Sequence, residues 1–305
     1  MPYNWERLQK GLDKWNISLN SEQYDKLGRF YELLIETNKV MNLTAVTEFE
    51  DVCTKHFLDS IAMLHINQKL EIPTQGKSLI DVGCGAGFPG MVLKIAEPEL
   101  NIVLMDALQK RVGFLNKVIS ELKFNVSRET SIGAIHGRAE ELCNAEKLRN
   151  AEKLRNAKKS RNAAKNSNTE KLYNAEKVDF GKNIQNKNDK TKSDSIESII
   201  TEKAYRESFD FATARAVAKL SVLCEYCLPF VKKGGYFISY KTVESDDEIK
   251  SAESACTLLG GKIERVEDYI LPGTDINRRL IYIKKIRATD KKYPRASAVM
   301  AKKPL

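Results

Sequence analysis

The residues with the clearest chemical potential run from Asp81 to Gly90: Asp81-Val82-Gly83-Cys84-Gly85-Ala86-Gly87-Phe88-Pro89-Gly90. Closely spaced glycines let a backbone turn tightly and approach a ligand without Cβ interference. Asp106 follows Gly87 by 19 residues. A carboxylate at that spacing can accept both hydroxyl hydrogens of a ribose. Two ligand classes compete for this pattern. Gly85-x-Gly87-x-x-Gly90 has the spacing of a dinucleotide fingerprint, whereas Gly83-x-Gly85-x-Gly87 behind Asp81 has that of an S-adenosylmethionine loop. Charge favours the second. A pyrophosphate beside Asp81 is repelled, while S-adenosylmethionine has no phosphate and brings an ammonium and a sulfonium. A purely structural glycine turn is the third reading.

Other reactive side chains are less organised. His56 and Asp59 stand one helical turn apart, which suits either a structural hydrogen bond or a pocket contact. Cys224-Glu225-Tyr226-Cys227 is a Cys-x-x-Cys without a second pair, so buried helix thiols are expected there and zinc is not. Cys84 lies in the glycine loop but outside the Pro-flanked setting of a methyltransferase nucleophile. The expected metal ligands are none.

Elements that would hold this loop are legible on both sides. Leu27, Phe30, Tyr31, Leu34 and Ile35 recur at helical spacing after Ser21, a candidate N-cap, and a second helical stretch runs from Phe49 to Leu64. Pro73 and Gly76 mark a boundary. Strands are then expected at 78–82, 101–106, 132–136, 209–213 and 236–240, with a closing antiparallel pair at 262–271 and 279–287. Helices are expected at 89–97, 110–122, 217–231 and 247–259. This alternation specifies an α/β fold, a doubly wound, mostly parallel seven-stranded sheet. The predicted organisation is an N-terminal helical region, 1–70, packing on a core domain, 71–305, with an insertion at about 143–207.

That insertion repeats every six residues: Asn144-Ala-Glu-Lys-Leu-Arg149, then Asn150-Ala-Glu-Lys-Leu-Arg155. Six residues advance a helix by about 600°, so successive copies point about 120° apart and build no apolar stripe. A passive, mobile segment with little capacity to bury surface is expected. A solenoid needs longer repeats and a continuous core.

The formal charge of +9 is unevenly placed. Residues 144–203 hold 15 basic and nine acidic residues, and residues 278–305 hold ten basic residues against Asp290 alone. The rest of the chain is therefore net acidic, and the C-terminal segment is a candidate for tracking phosphates. Six scattered cysteines suit reduced thiols, and the N-terminus has Glu6 and Arg7 where an export signal needs apolar residues. A cytoplasmic protein with no membrane partner is expected.

Six segments together carry a family resemblance. They are Asn42-Leu43-Thr44-Ala45-Val46, His56-Phe57-Leu58-Asp59-Ser60, Asp81 to Gly90, Lys110-Arg111-Val112-Gly113-Phe114-Leu115, Gly137-Arg138-Ala139-Glu140-Glu141 and Thr213-Ala214-Arg215-Ala216-Val217-Ala218. In these, and in their order, the chain resembles the RsmG (GidB) family of bacterial 16S rRNA methyltransferases. The resemblance implies a Rossmann-like class I methyltransferase fold with S-adenosyl-L-methionine as cofactor. It also implies methyl transfer to nitrogen 7 of a guanine in 16S rRNA, on the small ribosomal subunit or an assembly intermediate. By motif position, Gly83 and Phe88 match the family's cofactor-loop contacts, Ala139-Glu140 match the pair that flanks the adenine, and Arg215 matches a ligand-binding arginine. Physically, Arg215 suits a cofactor carboxylate or an RNA phosphate, not a sulfonium. The plain alternatives are a solvated helix-start residue for Glu140 and a surface ion pair for Arg215.

Nitrogen 7 carries an in-plane lone pair and no proton, so no catalytic acid or base is expected, and rate should come from alignment. The chain departs from the family pattern at the insertion, at Lys241-Thr242 and in the tail from Tyr293. The alternative functions are a small-molecule methyltransferase and a non-catalytic RNA- or ribosome-binding protein. A monomer is expected.

Overall fold

The computed structural model describes residues 3–124, 131–144, 205–215 and 218–305. The hexad repeats, apart from Asn144, lie outside the described residues. So do Ala216 and Val217 of the last family segment.

Four helices come first. They are α1 (Glu6–Lys14), α2 (Ser21–Met41), α3 (Phe49–Val52) and α4 (Asp59–Lys69), with a π-helical turn at Cys53–Leu58 joining the last two. The N-cap of α2 is Asn20, not Ser21. The Asn20 side chain accepts from Gln23 N (3.0 Å) while Asn20 N donates to Gln23 Oε1 (2.8 Å). This reciprocal box uses the longer reach of the asparagine and leaves Ser21 as the first helical residue.

The chain then alternates: β1 (Ser78–Val82), α5 (Gly90–Ala96), β2 (Asn101–Asp106), α6 (Gln109–Glu121), β3 (Ile132–His136) and α7 (Ala139–Leu142). After the insertion come β4 (Phe209–Arg215), α8 (Leu220–Cys227), a 3₁₀ turn at Leu228–Phe230, β5 (Val231–Lys241), α9 (Asp246–Leu258), β6 (Gly261–Ile270), β7 (Asn277–Lys285) and α10 (Ser297–Lys302). The last helix was not expected from the sequence. The first three strands match their expected limits, whereas β5 starts earlier, at Val231, because Lys232 to Gly235 extend it beyond its apolar run.

The described strands form one seven-stranded sheet in the order β3-β2-β1-β4-β5-β7-β6. The first five are parallel, and β7 runs antiparallel between β5 and β6. The order reverses at β1 and β4, and the crevice beyond their carboxyl ends is the ligand position of such sheets. Strand alternation divides the apolar residues. Ile238, Tyr240, Leu280 and Tyr282 join one cluster with Trp5, Leu27, Phe30 and Phe57 of the N-terminal helices. Phe237, Ile281 and Ile283, equally buried, fall outside that cluster. Side chains on successive residues of a strand face opposite sides, so each face carries its own helical layer.

Contacts divide the chain into two units, Met1–Glu140 with Arg206–Leu305, and Glu141–Tyr205. The second is described only at 141–144 and 205, where Tyr205 N donates to Leu142 O at 3.1 Å.

Much of the C-terminal basic charge is engaged in structure. Arg279 is buried and held by Asp246 and Asp268, and Lys285 is buried against Leu228 O and Thr289. Arg295 forks onto Glu225, and Lys284 pairs with Glu264. Lys291, Lys302 and Lys303 are exposed. All six cysteines are buried and unbridged, with Cys224 and Cys256 3.1 Å apart. No described helix is long and apolar enough to cross a membrane.

Candidate cofactor and substrate site

The glycine loop sits where β1 ends. Gly83, Gly85 and Gly87 have φ of 73°, 59° and 99°, the left-handed region that costs other residues steric strain. Gly83 N and Cys84 N both donate to Met105 O, at 2.8 and 3.1 Å, which ties the loop to the end of β2. Gly90 opens α5 against Asp81. A Cβ there would meet Leu104 and lie 2.9 Å from Asp81 Oδ2.

Asp81 is fully buried. Its Oδ2 accepts from Gly90 N at 2.8 Å, and its Oδ1 has no partner. Burial pushes its pKa up to about 7, against the opposing effects of the Gly90 bond and the Arg215 charge. Thr213, its register partner on β4, is also fully buried with an unpartnered hydroxyl. Asp106 closes β2. Its Oδ2 accepts from Gly85 N (3.0 Å), with Arg111 at 3.4 Å, and its Oδ1 accepts from Leu108 N (2.8 Å). Asp106 therefore shapes the loop as well as offering its remaining lone pairs to a ligand.

Beyond β3, Ala139 and Glu140 are both buried, so the solvated reading of Glu140 does not hold. Glu140 Oε1 accepts from Ser297 Oγ (2.7 Å) and Ser297 N (3.1 Å), and its Oε2 is buried without a partner.

Arg215, at the end of β4, is not a surface pair either. Its Nη1 lies 3.0 Å from Asp59 Oδ2, with the side chains only 12% and 6% exposed. Its Nη2 lies 3.2 Å from His56 Nδ1, and its guanidinium covers the Phe88 ring at 5.2 Å. His56 stacks on Phe88 at 4.3 Å. A guanidinium only donates, so Nδ1 must accept, and the ring proton sits on Nε2, donating to Thr44 Oγ1 at 2.8 Å. Burial, then the Arg215 charge, pushes the His56 pKa down to about 3, so the ring is neutral at physiological pH. Thr44 is placed by Asn38, whose Oδ1 accepts from Leu43 N and Thr44 N at 2.6 and 2.9 Å. Asp59 Oδ1 takes the Tyr269 hydroxyl at 2.9 Å, with Arg278 at 3.7 Å.

The one-turn spacing of His56 and Asp59 left a structural hydrogen bond and a pocket contact as the two readings. His56 in the π-helical turn and Asp59, the first residue of α4, both meet Arg215, and such turns are frequent at functional sites. Sequence reading missed Thr44, Thr213, Tyr269 and Ser297 as participants. Nothing local marks Ser297. Cys84 is buried, and its thiol pKa is pushed well up by burial and then by Asp81 and Asp106.

The donor set fits S-adenosylmethionine. Three carboxylates, Asp81, Asp106 and Glu140, face the crevice ends of β1, β2 and β3, and two of them hold an unpartnered buried oxygen. Such a set suits a phosphate-free, cationic ligand and opposes a pyrophosphate. Replacing Asp106 with alanine should weaken S-adenosylhomocysteine binding by about 1–3 kcal/mol. Calorimetric titration of the folded variant checks this, and unchanged affinity would remove Asp106 from the site.

Sheet order, reversed final hairpin, glycine loop and acidic strand end define a class I S-adenosylmethionine-dependent methyltransferase. The family model described as GidB, rRNA small subunit methyltransferase G, matches residues 23–165 and 173–276. Similar proteins described as ribosomal RNA small subunit methyltransferase G include those of three bacteria. That of Lachnoclostridium phytofermentans is 40% identical over 97% of this chain and 95% of its own. That of Desulforamulus reducens is 37% identical over 98% and 97%, and that of Lactobacillus helveticus 35% over 99% and 99%. The chain belongs to the GidB family of rRNA small subunit methyltransferases.

Proposed function

We propose that this protein transfers the methyl group of S-adenosylmethionine to nitrogen 7 of a guanine in 16S rRNA, acting in the cytoplasm on the small ribosomal subunit or an assembly intermediate. Family membership supports the substrate class. The observation that carries the chemistry is the neutral, fully engaged His56. His136, at the end of β3, has its Nε2 3.0 Å from Ala107 O, and nitrogen 7 needs no base.

The cofactor, when bound, supplies an electrophilic methyl group. Asp81 Oδ1 is suited to its ammonium, Asp106 to its ribose, and Ala139 with Glu140 to its adenine. Gly83 and Phe88 bound the loop side. Arg215 holds its fork beside the pocket under the direction of Asp59 and His56, where it can bind a carboxylate or an RNA phosphate. Alignment is then the main contribution of the fold, because reacting groups held near attack distance gain several kcal/mol of barrier reduction. The target base must leave its stack to reach the crevice. Lys291, Lys302 and Lys303, exposed on the tail, are suited to contact phosphates.

Purified protein with labelled cofactor should methylate small-subunit particles or 16S rRNA, and the label should map to 7-methylguanosine. Transfer to a metabolite extract instead would establish a small-molecule enzyme. Cofactor and RNA binding without transfer to any of these would establish a non-catalytic binding protein.

A further inference from the structure

The C-terminal segment is held to the body by three successive contacts. Arg206 donates to the carbonyls of Thr289, Asp290 and Tyr293 at 2.6–2.9 Å. Arg295 follows, its Nε and Nη2 on the buried Glu225 carboxylate at 2.8 and 2.6 Å and its backbone N on the same carboxylate at 2.8 Å. Ser297 then meets Glu140 through both its hydroxyl and its backbone N–H. Met300, fully buried, seats the short helix that follows. A segment anchored this closely delivers Ser297 to a fixed point.

That point lies just beyond the carboxyl end of β3, at Glu140. β2 lies between β1 and β3, and Gly137 N donates to Asp106 O at 3.2 Å, so the chain after β3 leaves from beside Asp106. A ligand with its amino-acid end over β1 and its ribose on Asp106 must carry its base toward the β3 end, where Glu140 stands. Two donors pin Oε1 of Glu140, which fixes the direction of Oε2. Oε2 is buried and unpartnered, and a buried carboxylate oxygen without a donor is costly. Among the groups on an adenine edge, the exocyclic amine is the one that donates.

We propose that Ser297 is a positioning residue for cofactor recognition: it holds the Glu140 carboxylate so that Oε2 accepts the adenine amine. This rests on the placement of adenine beside Ala139 and Glu140 given above. The C-terminal segment then serves the cofactor as well as the RNA, and its contribution to each is separable by ligand chemistry.

The test compares calorimetric affinities for S-adenosylhomocysteine and S-inosylhomocysteine, in which an oxygen acceptor replaces the amine. The wild-type protein should prefer the adenine ligand by at least about tenfold, and Glu140→Gln should abolish that preference. Ser297→Ala should narrow the preference about three- to tenfold, and Ser297→Thr should retain it, with thermal midpoints confirming folding of both. Equal loss of affinity for both ligands in Ser297→Ala would make Ser297 a purely structural contact and overturn the proposal. No loss for either would overturn it as well. A wild-type protein without preference would instead overturn the placement of adenine against Glu140, and the inference with it.

Discussion

Replacing Asp59 with alanine should lower folding stability by about 3–5 kcal/mol, the range for breaking a buried ion pair from one side. Asp59 is 4% exposed and accepts from Arg215 and the Tyr269 hydroxyl, with Arg278 at 3.7 Å. Alanine leaves the Arg215 guanidinium enclosed without its counter-charge, and leaves the buried Tyr269 hydroxyl without this acceptor. It also removes one point at which the N-terminal helices meet β4, β6 and β7. Methyl transfer should fall by more than tenfold, because Arg215 and His56 lose their common anchor. Denaturant unfolding measures the first effect and single-turnover transfer the second. Asp59→Asn separates charge from shape, since it keeps an oxygen for Tyr269 but removes the ion pair. A loss below about 1 kcal/mol in Asp59→Ala would show that Arg215 re-solvates freely and that the pair is a surface interaction in energy terms.

Asp81→Asn should have opposite effects on stability and on cofactor binding. The Asp81 pKa is raised to about 7 in the folded state, against about 4 in an unfolded chain. Between those values the folded state holds the extra proton. Stability contributed by protonated Asp81 is therefore complete below about pH 4 and is lost as pH rises through about 7, amounting to roughly 3–4 kcal/mol by pH 8. Asparagine cannot ionise and keeps an oxygen for Gly90 N. The variant should be more stable than wild type by about 2–4 kcal/mol at pH 8, near equal at pH 4, and flatter in between. Its affinity for S-adenosylhomocysteine should drop about tenfold at pH 8, because a neutral amide replaces the partner of the ammonium. Binding to wild type near pH 7 should also release a proton, seen as a dependence of the calorimetric heat on buffer ionisation enthalpy. Parallel pH profiles for variant and wild type would place Asp81 ionisation outside the linkage, and unchanged affinity would remove it from the ammonium site.

The strand limits at β1, β2 and β3 were legible because each is a short apolar run beside turn chemistry. The loop from Gly83 to Gly90 was legible because its glycines report backbone conformation directly, and three of them do occupy the left-handed region. Asp81 and Asp106 follow from those limits, since each lies at a strand's carboxyl end in a sheet that binds ligands there. The family segments named Gly83, Phe88, Ala139, Glu140 and Arg215 as a set, although no spacing along the chain says what each touches.

Charge was the least reliable sequence signal. Ten basic residues against one acid in 278–305 describe a polyanion-binding tail in sequence terms. In the fold, Arg279, Lys285 and Arg295 are structural, because Asp246, Asp268, Glu207 and Glu225, all outside that segment, neutralise them. Composition counts charges without their partners.

The sequence by itself determined the α/β alternation, the cofactor loop and the acidic strand ends, because these depend on periodicity and on residues within about 30 positions of one another. Only the tertiary structure decided that Arg215 rests on Asp59 and His56, residues 156 and 159 positions away. Only it decided that Glu140 meets Ser297 across 157 positions. Contacts of that separation arise when sheet order and helix packing bring distant strand ends to one edge, and neither propensity nor spacing encodes which side chain will arrive opposite which.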